Sequence, residues 1–393
     1  MDTLAGSQSD NEGVRGESRL RDVIINVIRQ NGPIPFSRYM QLCLYHPELG
    51  YYSRPVERFG KAGDFYTSSD VHAVYGRLLS RQFEEMWRLL GSPQHIHLVE
   101  LGPGRGLFAL DVLEWCRKQF PEFSRALRYV LVEQSGALCE RLRQRLRDYV
   151  GNRIAIIADS FQVAEDFAGE HVILFGNEFF DASPVELIDY RGAVRVTEAD
   201  SKFAEVFVPT SRDEVEFVER YSIRPEAGER VEISFAALEW MRRLSQMLST
   251  RSGFAIFVDY GYTREQQLAG RRRNTLMTYR HHRASPSFYD APGEQDITAN
   301  VNWTALESAA ADCGLQRFAL VTQSQFLLGI GETTQFADAF QDCTLPQEHA
   351  KVALQLKQLI SPEGMGEVFQ VLLLAHGLQK TQAAHLSGLR FQR

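Results

Sequence analysis

The chain has 393 residues, of which 44% are hydrophobic and 24% charged, and its formal net charge is −7. This composition is that of an ordinary globular protein, long enough for one large α/β domain with additions or for two domains. The acidic balance disfavours a general binder of nucleic acid or anionic membranes, because such partners attract an excess of Lys and Arg. The five scattered cysteines form no Cys-x-x-Cys pattern and predict neither a disulfide framework nor a zinc site.

The first part of the chain predicts a polar tail followed by helices. Residues 1–18 contain several acidic and few apolar residues, which indicates a disordered tail rather than a secretory or mitochondrial leader. Residues 19–92 carry apolar side chains at helical spacing and predict a helical extension that could cover a site. No run of about 18 apolar residues occurs, so we expect no membrane span and assign the chain to the bacterial cytoplasm.

Apolar runs and helical segments then alternate from residue 93 to about residue 376. Alternation of this kind predicts a parallel sheet with helices on both faces. Two insertions, at about 185–235 and 260–302, interrupt it, and residues 377–393 are left as a C-terminal tail. In the first insertion, residues 204–208 and 215–218 alternate apolar and charged, which predicts short antiparallel strands. The sheet strands are predicted at residues 96–101, 129–133, 153–158, 172–175, 253–259, 318–321 and 368–374.

A turn with three closely spaced glycines, Gly102, Gly104 and Gly106, follows the first of these strands. Glycine at alternate positions lets the backbone bend sharply and lets a bound molecule approach closely. The spacing departs from the dinucleotide fingerprint, and no lysine follows as in a phosphate-binding loop. Glu100, at the strand end, suits a phosphate-free cofactor with a cationic amino group and a sulfonium. We therefore predict S-adenosyl-L-methionine over this turn, with its carboxylate facing the amides of the following helix.

Acidic residues at the ends of the next two strands extend this prediction. Glu133 ends the second strand, where a βαβ unit presents an acid to the ribose hydroxyls. Asp159 and Ser160 follow the third strand and could reach the adenine amino group, or could simply cap the next helix. In the alternative interpretation, Glu100 and Glu133 merely end strands and lie in solvent.

Asn177, Glu178 and Asp181 follow the fourth strand, beside the predicted cofactor position. Polar groups here are suited to holding a methyl acceptor, since methyl transfer is an in-line displacement that depends on alignment and on the local field. Two carboxylates three residues apart suit a guanidinium, which they could orient and from which they could receive a proton. Alternatively, they are turn residues before Pro184.

Seven short motifs occur in order between about residues 20 and 375. They are Tyr45-His-Pro-Glu-Leu-Gly-Tyr-Tyr52, Gly63-Asp-Phe-Tyr-Thr-Ser69, Glu100-Leu-Gly-Pro-Gly-Arg-Gly106, Asn177-Glu-Phe-Phe-Asp181 with Pro184, Asp259-Tyr-Gly-Tyr262, Pro292-Gly-Glu-Gln-Asp-Ile-Thr298 and Met365-Gly-Glu-Val-Phe369. Together they resemble the MidA-like family of methyltransferases, whose mitochondrial members are protein arginine methyltransferases that assist the assembly of respiratory complex I.

The resemblance implies a Rossmann-like class I methyltransferase fold with a seven-stranded, mostly parallel sheet, and S-adenosyl-L-methionine as methyl donor. It further implies symmetric dimethylation of an arginine in a protein, with a respiratory complex I subunit as the implied partner. The loop at residues 63–69 would cover the cofactor, with Thr67 in contact. One departure is Asn300, where the family pattern has His, and this could alter activity or substrate.

Two other functions stay open at this point. One is methylation of a small molecule or RNA. The other is an assembly factor that binds the cofactor without turnover. We expect no nucleic-acid partner, and the sequence does not indicate the oligomeric state.

Overall fold

The computed structural model describes residues 6–54, 73–200, 202–270, 273–280 and 283–392. These residues divide into two compact units. The sheet unit comprises the described parts of residues 66–179, 241–261 and 307–393. The insertion unit comprises the described parts of residues 1–65, 180–240 and 262–306, and so contains most of both predicted insertions.

Helices and strands are numbered in chain order. The strands are β1 (Ile34–Pro35), β2 (Ile96–Leu101), β3 (Leu127–Val132), β4 (Ala155–Ala158), β5 (His171–Asn177), β6 (Glu186–Asp189), β7 (Gly192–Ala199), β8 (Lys202–Val208), β9 (Arg230–Ile233), β10 (Ser252–Tyr262), β11 (Met277–Arg280), β12 (Arg283–Ser285), β13 (Asp296–Thr298), β14 (Val301–Asn302), β15 (Gln316–Thr322) and β16 (Phe369–His376). The α-helices are α1 (Gly6–Asn31), α2 (Phe36–Tyr45), α3 (Ala73–Leu89), α4 (Leu107–Gln119), α5 (Pro121–Ala126), α6 (Gly136–Arg145), α7 (Arg147–Gly151), α8 (Phe161–Phe167), α9 (Arg212–Tyr221), α10 (Phe235–Ser249), α11 (Arg264–Leu268), α12 (Trp303–Asp312), α13 (Gln323–Glu332), α14 (Ala337–Phe340) and α15 (Pro346–Ile360).

The sheet unit is built on strands paired in the order β15-β16-β10-β5-β2-β3-β4. The strands from β10 to β4 are parallel, whereas β16 runs antiparallel to both β10 and β15. The chain passes outward from β2 to β3 and β4 and then returns to β5 on the other side of β2. The carboxyl ends of β2 and β5 therefore border the point where strand order reverses, which is where open α/β sheets bind ligands. The predicted α/β fold with a mostly parallel sheet is confirmed; the predicted seven strands form this order, and the short strand β14 also pairs with β10.

Aromatic residues from the sheet and its helices form the core beneath the ends of β2 and β5. The Phe108 and Phe175 rings stack with centroids 4.7 Å apart, and Phe83 meets Phe175 edge-on at 5.6 Å. Each is almost completely buried, and burial of such a side chain stabilises the fold by about 1.5–3 kcal/mol. This packing fixes α3 and α4 against β5.

The insertion unit contains antiparallel strands in the order β1-β7-β6-β9, with β8 also paired to β7. The predicted strand at 204–208 is confirmed within β8. The predicted strand at 215–218 is wrong, since these residues lie in α9. A capping box starts that helix: the Glu214 N–H donates to Ser211 Oγ at 3.2 Å, and the Ser211 N–H donates to Glu214 Oε2 at 2.6 Å.

The ends of the chain differ from the predicted boundaries. Helix α1 begins at Gly6, within the segment predicted to be a tail, and the predicted extension at 19–92 is divided between the two units. The C-terminal segment packs on α3, where the Ser387 N–H donates to Glu85 Oε2 and the Gly388 N–H to Gln82 Oε1, both at 2.9 Å. No helix within the described ranges is long and apolar enough to cross a membrane.

Candidate active site

The glycine turn between β2 and α4 depends on glycine for its conformation. Gly102, Gly104 and Gly106 have φ values of +62°, +51° and +70°, in the left-handed region that other residues rarely adopt. A Cβ on Gly106 would also lie 2.5 Å from Leu142 Cδ2. The turn brings backbone N–H groups to the start of α4, an arrangement that favours a bound carboxylate.

Glu100 lies at the end of β2 and is buried. Its Oε2 accepts a hydrogen bond of 2.9 Å from the Tyr129 hydroxyl on β3. Burial raises the pKa of Glu100 to about 8, and the Tyr129 hydrogen bond only partly opposes this. A positive charge beside this carboxylate would remove that penalty. An ammonium or sulfonium group therefore fits the chemistry at this position.

Glu133 follows β3 and is fixed by the backbone around it. Its N–H donates to the Ala158 carbonyl at 2.9 Å, and its Oε1 accepts the Ser135 N–H at 2.8 Å. Burial raises the pKa of Glu133 to about 7. The carboxylate is thus held at the end of the strand beside β2, and its contact with a ribose stays a prediction.

Ser160, after β4, caps the next helix, which is one of the two roles considered from the sequence. The Val163 N–H donates to Ser160 Oγ at 3.4 Å, so Ser160 caps α8, and Asp159 beside it is exposed. Contacts of Asp159 and Ser160 with an adenine ring stay a prediction. The Thr67 prediction falls on a residue outside the described ranges.

A chain of hydrogen bonds leads from α3 to the end of β5. The Tyr75 hydroxyl donates to Asn177 Oδ1, and Asn177 Nδ2 donates to Glu178 Oε1, each at 2.9 Å. Tyr75 is 1% exposed, and its pKa is raised well above the ordinary tyrosine value by burial and then by the charges of Glu178 and Glu100. The amide of Asn177 is thereby oriented, and it fixes one oxygen of Glu178.

The backbone of Glu178 is unusual. Its φ is +51°, and its N–H donates to the Val258 carbonyl on β10 at 2.8 Å. A left-handed conformation in a residue with a Cβ costs about 1–2 kcal/mol. Such strain often occurs at functional sites. The next residue, Phe179, reaches the glycine turn, since its Cδ2 lies 3.7 Å from the position of a Cβ on Gly102.

The remaining predicted positions lie in the insertion unit. Asp181 is buried there, and its carbonyl accepts the Ala299 N–H at 3.0 Å. The N–H of Asn300 donates to Thr275 Oγ1 at 3.1 Å. The sheet unit itself therefore brings together Glu100, Gly102, Gly104, Gly106, Glu133, Asn177 and Glu178 at the carboxyl ends of neighbouring strands.

Sequence reasoning missed the two tyrosines that contact these carboxyl and amide groups. Tyr129 begins the apolar run that ends in Glu133, and Tyr75 lies among the apolar residues of α3. At both positions the surrounding apolar pattern predicts a core residue. The available signal was only that a fully buried tyrosine needs a partner for its hydroxyl.

The strand order, the glycine turn and the acids at the strand ends define a class I methyltransferase that uses S-adenosyl-L-methionine. The chain belongs to the MidA-like family of S-adenosyl-L-methionine-dependent methyltransferases, whose family model matches residues 78–321.

Relatives of similar length extend over most of the chain. The mitochondrial protein arginine methyltransferase NDUFAF7 homologue of Drosophila melanogaster is 28% identical, with 96% of this chain and 89% of the relative covered. Human mitochondrial protein arginine methyltransferase NDUFAF7 is 26% identical, with 93% and 84% covered.

A solved structure matches the whole fold. It is a candidate methyl transferase from Burkholderia thailandensis bound to S-adenosyl-homocysteine, and it has a TM-score of 0.78. The two sequences are 26% identical, with 97% of this chain and 96% of that chain covered. S-adenosyl-L-methionine is accordingly the cofactor of this chain, as predicted.

Proposed function

We propose that this S-adenosyl-L-methionine-dependent methyltransferase transfers methyl groups to arginine side chains of a protein. The observation that carries the proposal is the Glu178 carboxylate, which Asn177 holds on a left-handed backbone at the end of β5. A carboxylate fixed in this way suits a planar cation that donates several N–H bonds. The name of the relatives, protein arginine methyltransferase, supports the same acceptor.

The bound cofactor supplies a methyl group on a positively charged sulfur. Glu178 would accept hydrogen bonds from the guanidinium and draw its positive charge away from the attacking nitrogen. As the nitrogen–carbon bond forms and the sulfur–carbon bond breaks, the nitrogen loses a proton, which Glu178 can accept directly or through water. Tyr75 and Asn177 keep the carboxylate oriented for this role.

The acids of the neighbouring strands would hold the cofactor. Glu100 offers a buried negative charge to its cationic end, and Glu133 offers a carboxylate to its ribose hydroxyls. The glycine turn would leave room for close approach, and N–H groups at the start of α4 would face its carboxylate. Contacts of Asp159, Ser160 and Thr67 with the cofactor belong to the same proposal.

The methylation product and the acceptor protein are proposed from the family resemblance. The product would be symmetric dimethylarginine, and the acceptor would be a subunit of respiratory complex I. Asp181, three residues after Glu178 in the sequence, is proposed as the second carboxylate that recognises the acceptor.

The test is incubation of the purified chain with methyl-labelled cofactor and a lysate of cells lacking this protein. Label in a protein band, recovered as methylarginine after hydrolysis, supports the proposal. Label in RNA or small molecules favours the first alternative enzyme. Cofactor binding by calorimetry with no label in any fraction favours a cofactor-binding assembly factor. Mass spectrometry of the labelled residue then distinguishes symmetric dimethylarginine from the other products.

A further inference from the structure

A buried carboxylate lines a small cavity inside the insertion unit. Glu232, on β9, is 4% exposed, and the cavity that it lines has a volume of about 20 Å³. This is room for one group of about the size of a water molecule. Apart from a few polar groups the walls are apolar, and they include Phe180 and Ala305.

One oxygen of Glu232 is satisfied and the other is not. Oε1 accepts the N–H groups of Thr275 at 2.9 Å and Leu276 at 3.2 Å. Within the part of the chain that the structure describes, Oε2 has no hydrogen-bond partner. Burying a carboxylate oxygen without a hydrogen bond costs desolvation free energy, so such an atom indicates a missing donor.

The other polar side chains of the cavity wall are already engaged. Asn302 donates to the Tyr221 carbonyl and accepts the Ala305 N–H. Ser234 donates to the Pro184 carbonyl and accepts the Ala237 N–H. Glu232 and Asn300 therefore remain as the groups that a ligand in the cavity would meet.

These groups select for a protonated nitrogen. A carboxylate beside an amide repels anions, and in the described ranges no cluster of three or more metal-ligating side chains accompanies it. A water molecule would supply a donor but no charge. A cationic N–H group supplies both, and the apolar walls suit the alkyl stem that carries it.

We propose that this cavity binds the ammonium tip of a lysine side chain of the protein acceptor, with Glu232 Oε2 accepting its N–H. The inference rests on the proposed function in taking the acceptor to be a protein. Phe180, on the cavity wall, belongs to the same motif at residues 177–181 as Glu178. Glu232 thus adds a recognition residue to that function.

Methylammonium is the probe, with methylguanidinium as a larger cation and N-methylurea as a neutral control, each titrated into the full chain by NMR. We expect methylammonium to bind, and methylguanidinium and N-methylurea not to bind, because methylguanidinium is too large for the cavity and N-methylurea carries no charge. Glu232→Gln should weaken cation binding at least about tenfold, the usual effect of losing a charged hydrogen bond. Because Gln keeps a carbonyl oxygen for Thr275 and Leu276, this variant should fold.

A second variant blocks the cavity without changing its charge. Ala305→Val adds bulk to the wall and should also weaken cation binding, whereas Glu239→Gln, the same chemical change at an exposed position of α10, should leave it unchanged. Equal binding of methylammonium to the wild type and Glu232→Gln, or no binding of methylammonium, would overturn the inference and leave a cavity that holds water alone.

Failure of this inference can be distinguished from failure of the proposed function, because the binding titrations need no turnover. Cation binding that depends on Glu232, in a chain that methylates no arginine, would contradict the proposed function only. Arginine methylation with an unchanged KM for the labelled protein in Glu232→Gln would contradict this inference only.

Discussion

Glu100 and Glu178 end neighbouring strands of one sheet but are held in different ways. Glu100 continues the strand, is buried, and meets the hydroxyl of Tyr129. Glu178 leaves the strand on a left-handed backbone, is partly exposed, and is bonded through the amide of Asn177. The first environment favours binding a fixed charge, and the second favours a carboxylate that must meet a substrate and exchange a proton.

The largest effect should come from Gly106→Val, which disrupts the glycine turn beside which the cofactor is expected to bind. The substitution combines a left-handed conformation with a contact of 2.5 Å to Leu142, and overpacking alone costs about 1–3 kcal/mol. We expect a fall of about 3 kcal/mol in the free energy of unfolding, measured with urea, and loss of cofactor binding by calorimetry. Gly136→Ala is the matched control, since a Cβ there meets nothing within 4 Å. Cofactor affinity unchanged in Gly106→Val would remove the turn from the proposed site.

Glu178→Gln removes the carboxylate that is proposed to meet the methyl acceptor. Losing a group that orients the acceptor and takes its proton should lower kcat about 100-fold, while cofactor affinity stays within about twofold because Glu100 is untouched. Steady-state kinetics with labelled cofactor measure the first quantity and calorimetry the second. Glu170→Gln, at an exposed position just before β5, should keep normal turnover. A normal kcat in Glu178→Gln would rule out its proposed role.

Glu100→Gln should weaken cofactor binding about tenfold, as expected for one charge-assisted interaction. In the wild type the free carboxyl has a pKa of about 8, and a bound cation favours its ionised form. Cofactor affinity should therefore rise between pH 6 and 8 and level off above pH 8. This component of the pH dependence should be absent from Glu100→Gln. Identical pH profiles for the two proteins would contradict the assignment.

The raised pKa of Glu100 also predicts how the stability of the cofactor-free protein depends on pH. The folded protein keeps the Glu100 proton up to about pH 8, whereas the unfolded chain releases it near the ordinary glutamate pKa of 4.5. The free energy of unfolding of the wild type should then fall, relative to Glu100→Gln, as the pH rises from about 5 to 8. Glu133 titrates in both proteins, so its contribution cancels in the difference.

The smallest effect should come from Tyr75→Phe, which removes one hydrogen bond and keeps the buried ring. Loss of that bond to Asn177 is worth about 1 kcal/mol, so we expect kcat to fall about fivefold with cofactor affinity unchanged. Tyr149→Phe, on α7, should show neither change. A fall in stability with kcat intact would assign Tyr75 to packing alone.

The sequence was sufficient for the parts of the fold that depend on local pattern. Continuous apolar runs predicted the sheet strands, and the glycines predicted the turn after β2. The error at 215–218 was avoidable, because Ser211 and Glu214 form the spacing of a capping box before that segment. A similar box, Thr322 with Gln325, begins α13, a helix that the sequence analysis did not identify.

The contacts of the candidate site could not be predicted in this way. Tyr75 lies about 100 positions before Asn177, and only the packing of α3 against the sheet brings the two together. Whether Glu232 Oε2 has a hydrogen-bond donor among the described residues likewise depends on distant parts of the folded chain. Acids at strand ends are visible in a sequence, whereas the partners that orient them are properties of the folded chain.

The backbone at Glu178 implies a conflict between stability and chemistry. Glycine adopts φ near +51° without the penalty that a Cβ brings. A chain with Gly at this position would be relieved of that strain, yet it would have no carboxylate with which to meet an acceptor. Selection for thermal resistance alone should therefore drive residue 178 towards glycine, and the survivors would be robust proteins that still load the methyl donor but do not use it.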